Sequence, residues 1–166
     1  MMEQPRHWEW KGSTISRLGE FDIHNLPLGE IQLWSGKLAQ GFLQYLAESA
    51  SFEQMTNPLN DLGCLLHSIK HVLELHKFEL SNWEEKAEKN VNKWGVQSIP
   101  TLLLAIQEEV GELAEAMNKD DFNEVVDEID DLGPLVYQLK DVLINGDLPD
   151  EEKEMLRTAL KIRQVE

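Results

Sequence analysis

The chain has 166 residues, 42% apolar and 28% charged, which fits one ordinary globular core rather than a disordered chain. Thirty-one acidic against 15 basic side chains give a formal charge of −16, so no broad face could neutralise a nucleic-acid backbone, and nucleic acid is excluded as a partner. A lone cysteine, Cys64, leaves no internal disulfide framework and suits a reducing cytoplasm; no apolar run approaches the ~18 residues of a membrane span, and Met1 to Lys11 lacks the apolar stretch of a secretory signal.

Residues 1–26 show no sustained period and read as an irregular arm, with a short extended piece at Ser13–Arg17. From Gly29 to Ala50 the pattern turns helical, with Ile31, Trp34, Leu38, Phe42, Tyr45 and Leu46 recurring at three- and four-residue steps. Asn57-Pro58 predicts the start of a second helix, because proline suits a first turn. Leu62, Leu65, Leu66, Ile69, Val72, Leu73 and His76 share its face. Ser81-Asn82-Trp83-Glu84 has the form of a capping box, opening a helix that runs to Trp94 and stops at Gly95.

Ile99-Pro100-Thr101 opens the most regular helix, to Asn118. Asp121-Phe122-Asn123-Glu124 repeats the capping pattern and opens a helix toward Ile144, which Asn145-Gly146 ends. Pro149 begins a last helix, acidic in its first turn and closing with Lys161 and Arg163, an order that complements the helix dipole. No strand pair is predicted. The expected fold is all-α: an antiparallel bundle of about six helices joined by short connections. Residues 1–78 are expected to form the arm and additional helices, and residues 79–166 the helical core, together one compact domain.

Charge is uneven along the chain. Residues 1–95 carry 13 acidic and 9 basic side chains, and residues 96–166 carry 18 and 6, so the second segment alone stands at −12. Like charges packed this densely repel and call for counter-cations or a wholly solvated face. On the helix from Ile99, Leu102, Ile106, Val110, Leu113 and Met117 form one stripe. Glu109 lies roughly 70° and Glu112 roughly 130° from its centre, neighbours one turn apart. On the next helix Val125, Ile129, Leu132, Val136, Leu139 and Leu143 form the stripe. There Glu128 and Asp131 lie roughly 60° and 120° away. A short connection makes the two helices antiparallel, so the pairs could face each other across a groove. Four carboxylates converging in a partly dry groove cannot all stay ionised without cations. Hard oxygen donors of this kind select Mg²⁺, with Mn²⁺ a second choice.

The run Leu103-Leu104-Ala105-Ile106-Gln107-Glu108-Glu109-Val110-Gly111-Glu112-Leu113-Ala114-Glu115-Ala116-Met117 resembles the signature helix of MazG-like all-α nucleotide pyrophosphohydrolases. That family's pattern is E-x-x-E, a spacer, then E-x-x-D. Glu109 and Glu112 match its first pair, Glu128 and Asp131 its second, with 15 residues between. Trp94-Gly95 and Asn118-Lys119-Asp120 are similar to its flanks. The resemblance spans about Asn82 to Ile144. It implies that these four residues bind Mg²⁺, which grips a nucleoside triphosphate, and that water cleaves between the α- and β-phosphates to release a nucleoside monophosphate and pyrophosphate. It implies a homodimer or larger homo-oligomer. One departure stands out. Gly133-Pro134 follows Asp131-Leu132, and proline removes the bond to the Asp130 carbonyl, so a kink is expected there.

Glu108 and Glu124 are outer-shell candidates. Trp94, Lys119 and Lys161 are candidate substrate-binding residues, and Trp83 and Arg163 stand beside them, the plainer reading being packing for the tryptophans and a solvated face for the bases. His67, His71 and Glu74 share a helix face, but it lies opposite the apolar stripe and reads as solvated. Two alternatives stay open: a non-catalytic helical interaction or nucleotide-sensing protein on the same scaffold, and a phosphoribosyl-nucleotide pyrophosphohydrolase.

Overall fold

The computed structural model describes residues 23–46 and 52–145. They form five helices: α1 (Leu28–Leu46), α2 (Phe52–Leu75), α3 (Trp83–Trp94), α4 (Ile99–Asn118) and α5 (Phe122–Asn145). No strand occurs among the described residues, and no described helix is long and apolar enough to cross a membrane. The expected arm before residue 23 and the expected last helix from Pro149 lie outside the described residues.

Helices α1, α2, α5 and α4 pack in a closed ring, each against the next, and α3 lies on the outer side of α5. The apolar stripes meet in the middle. Ile31, Trp34, Leu38 and Phe42 from α1 join Leu62, Leu65, Leu66, Ile69 and Leu73 from α2 in one buried core with Leu102, Ile106, Val110 and Leu113 from α4 and Val125, Ile129, Leu132, Val136 and Leu139 from α5. The loop after α2, where the sequence suggested a boundary, separates helices that share this core. Gln107 adds a polar tie, donating from Nε2 to the Ser35 carbonyl at 3.2 Å and so fastening α4 to α1.

The ends follow capping chemistry, with one shift of register. Ser98 caps α4, its Oγ accepting from Thr101 N at 3.2 Å, and Asp121 caps α5 by accepting from Glu124 N at 3.2 Å. On α3 the cap is Asn82, whose Oδ1 accepts from Glu85 N at 3.1 Å, rather than Ser81. Gly95, at φ 85°, ends that helix with its N–H on the Val91 carbonyl. Asp120, at φ 57°, turns the chain between α4 and α5 while Asp121 N reaches back to the Ala116 carbonyl at 3.4 Å.

Three expectations are corrected. Helix α2 begins at Phe52, so Pro58 lies inside it; the first-turn preference of proline yields where tertiary packing carries the helix past it. His76 is exposed beyond the end of α2 rather than on its core face. Met117 is exposed in the last turn of α4, and the smaller Ala116 takes the buried place beside the α4–α5 turn.

Helix α5 runs unbroken through Pro134. The preceding Gly133 explains itself by a close approach: a Cβ there would stand 2.1–2.5 Å from atoms of the Trp83 ring. Trp83 is therefore a core residue, 2% exposed, lying flat where only glycine leaves room. Its Nε1 donates to Asp130 Oδ1 at 2.8 Å, and Asp130 also accepts from Ser81 N at 2.9 Å and Ser81 Oγ at 2.8 Å. Further along, Asn90 donates to Gln138 Oε1 at 3.1 Å, so contacts advance together and α3 runs in the same direction as α5. His67, far from being solvated, packs edge-on against Trp83 and Tyr137 with Nε2 2.6 Å from the Tyr137 hydroxyl. Burial, then the charges of Lys70 and Lys140, push its pKa down to about 4.

Gly133→Ala is expected to force the ring aside and destabilise the fold by about 1–3 kcal/mol, the usual range for overpacking a core; urea denaturation followed by Trp fluorescence measures it.

Candidate metal centre

The α4–α5 hairpin decides the register of the acids. Glu112 and Glu128 each stand eight residues from Asp120, and Glu109 and Asp131 each stand eleven. In an antiparallel pair rising about 1.5 Å per residue, the members of each pair are level, roughly 12 and 17 Å from the turn. The azimuth comes from the stripes. Glu109 and Glu128, nearer to them, are half-buried; Glu112 and Asp131, one turn further round, are exposed.

Two groups result. Carboxylate oxygens of Glu109, Glu128 and Asp131 all lie within 4.8 Å of one another, and so do those of Glu108, Glu109 and Glu112. Glu109 belongs to both. Glu109 and Glu128 each keep one oxygen, Oε2, buried without a hydrogen-bond partner. An orphaned buried acceptor is costly unless a cation or a proton meets it. Burial, then the charges of Glu112 and Asp131, push the Glu109 carboxyl up to about 7. For Glu128 burial comes first, then the hydrogen bond and charge of Glu112, and the pKa rises to about 8. An all-oxygen donor set with unmet buried oxygens fits a hard divalent cation, and such a cation would take the place of the retained protons.

Other sequence candidates lie differently. Glu108 joins the second group, at the solvent side. Glu124 is in neither group and pairs with Lys119 at 3.7 Å beside the hairpin turn, which takes Lys119 away from the acids as well. Trp94 is 67% exposed at the far end of α3, with Lys93 over its ring. Through Gly95–Ser98 it abuts the start of α4, about 15 Å along that helix from Glu109. Lys161 and Arg163 lie outside the described residues.

The sequence set Asp130 off the acidic flank but showed neither its partners nor the place of Lys86. Asp130, beside Asp131, turns away from the groove to hold Ser81 and Trp83. Lys86 reaches from α3 to Asp131, Nζ to Oδ1 3.6 Å. The signal for Asp130 was its angle on α5, which sets it apart from the Glu128–Asp131 flank; its partners lay some 50 residues upstream, beyond any local pattern.

This segment is MazG-like: residues 97–141, from the cap of α4 through most of α5, match the family model described as the MazG nucleotide pyrophosphohydrolase domain. The match covers about a quarter of the chain and contains all four acids at issue. No curated protein and no solved structure matches the chain.

The unfolded chain releases the two protons near pH 4.5, whereas the folded chain holds them to about 7 and 8. Between those limits the native state binds more protons, so stability falls as pH rises. In EDTA the melting temperature is expected to drop from about pH 5 to about pH 8 by calorimetry. Glu128→Gln should remove much of that slope, and excess Mg²⁺ should raise the melting temperature more at the upper pH than at the lower.

Proposed function

We propose that the protein is a divalent-metal-dependent nucleotide pyrophosphohydrolase that converts nucleoside triphosphates to nucleoside monophosphates and pyrophosphate. Mg²⁺, or Mn²⁺ in its place, would be held by Glu109, Glu112, Glu128 and Asp131. The observation that carries this reading is the pair of buried, donorless oxygens on Glu109 and Glu128 within a groove lined by further acids. The MazG-like match over the same residues supports it.

The electrostatics favour a polyphosphate. At −16 the protein repels an anion unless cations stand between them. Bound divalent ions would supply charge neutralisation at the phosphoryl oxygens and alignment of an attacking water with its leaving group. The chain contributes a rigid frame. Glu109 and Glu128 are fixed by the core stripes beside them, while exposed Glu112 and Asp131 stay open to the groove mouth. Glu108 extends the acid set outward. Helix continuity through Pro134 keeps Asp131 in its group, which supports a working rather than a decayed site.

A homodimer or larger homo-oligomer goes with this reading. Trp94, Val96 and Leu104, at 67%, 74% and 73% exposure around the α3–α4 junction, are the apolar surface a second copy would cover. A cytoplasmic site of action fits the substrate class and the single free cysteine.

The test is pyrophosphate release by pure protein from a panel of canonical and modified nucleoside triphosphates and phosphoribosyl nucleotides, with Mg²⁺. Turnover is expected with at least one member and is lost in EDTA. Glu112→Gln should lower kcat/KM at least about 100-fold, since altering mere outer-shell partners already costs 10–100-fold. Turnover surviving that change, or absent for every substrate, sinks the proposal.

A further inference from the structure

Among the described residues, Lys86 is the cation that an ion pair ties to the acidic groups, through Asp131. Its place is built. Asn82 caps the helix and its carbonyl accepts from Lys86 N at 2.9 Å. One turn before Lys86, Trp83 is locked onto Gly133 and Asp130 of α5. The backbone of Lys86 is thus held against the same stretch of α5 that carries Asp131. A lysine side chain on a helix leans toward the N-terminus, which aims the ammonium back along α5 at that carboxylate.

The tether itself is loose. At 3.6 Å it is longer than a charge-assisted hydrogen bond, and the two side chains are 40% and 50% exposed. Three other described lysines are occupied elsewhere: Lys119 with Glu124, Lys140 with Asp141 and Glu84, and Lys70 with the Ser81 carbonyl and the Trp83 face. Asp131 cannot serve a divalent ion and Lys86 fully at once.

We propose that Lys86 is a phosphate-binding residue of this site. When divalent ions engage Asp131, the Lys86 ammonium leaves it and donates to a non-bridging oxygen of the substrate polyphosphate. This rests on the pyrophosphohydrolase reading above. A compact, flexible point charge suits that hand-over, since an ammonium can meet a phosphate oxygen from any direction.

Calorimetric titration of Mg²⁺, and then of inorganic pyrophosphate into the Mg²⁺-loaded protein, compares wild type, Lys86→Gln and Lys86→Arg. Lys86→Gln is expected to bind Mg²⁺ as tightly as wild type or a few-fold tighter, because a competitor for Asp131 is gone, and to bind pyrophosphate about tenfold more weakly. Lys86→Arg should recover most of that loss. With a substrate that turns over, KM should rise in Lys86→Gln more than kcat falls. Unchanged pyrophosphate affinity in Lys86→Gln overturns the role of Lys86 and leaves the metal reading standing. Parallel loss of Mg²⁺ binding, pyrophosphate binding and melting temperature would make Lys86 a brace between helices, which also overturns it. Mg²⁺-loaded wild type that binds neither pyrophosphate nor any nucleotide removes the pyrophosphohydrolase reading and this role together.

Discussion

The crowding of Glu109 and Glu128 is the constraint around which the rest is arranged. Both carboxyls are drawn partly out of water by the core stripes they border, and both face further acids within 4.8 Å. Neither finds a donor for its buried oxygen. Such a pair can be neutral at the expense of keeping protons, or charged in the company of cations, and little else is open to it. The remaining structure works to keep the acids from splaying apart. Antiparallel α4 and α5, closed by a three-residue turn, fix their level; the ring of α1, α2, α4 and α5 fixes their tilt toward the core.

The proposed function follows from that crowding by charge balance. A strongly acidic chain has little to offer a nucleotide phosphate through its own side chains, so divalent cations would be the adaptor between two anions. Lys86, the lysine that an ion pair ties to the acids among the described residues, is presented by a helix outside the ring and would, on the proposed reading, add a positive charge at a place otherwise given to carboxylates.

Much of this was legible in the sequence because it is periodic. The stripes Ile31–Phe42, Leu102–Leu113 and Val125–Leu139 repeat every three or four residues, and a carboxylate beside a stripe must end up at its flank. Angles of about 70° and 60° for Glu109 and Glu128, against about 130° and 120° for Glu112 and Asp131, foretold which pair is half-buried. What escaped depended on contacts distant along the chain. Ser81 looked like a cap in local terms, yet its hydroxyl and N–H go to Asp130, and Asn82 caps instead. His67 sat on the polar side of its own helix; only the arrival of α5 with Tyr137 and of Trp83 from the loop side encloses it. Pro58 read as the start of a helix and Pro134 as a kink within one, and in both places the helix runs on through the proline.

The fit of Trp83 against Gly133 bears on where this protein can be cut. The stretch from residue 97 to 141 holds all four acids, so it looks like a self-sufficient cassette. Yet the face of α5 at Asp130 and Gly133 is sealed by residues beginning at Ser81. An excised hairpin would open a hollow shaped for an indole and strand a carboxylate that the intact molecule keeps occupied. The smallest transplantable fragment therefore starts upstream of that serine, and a graft of the acidic hairpin alone onto another scaffold would have to bring its own aromatic plug.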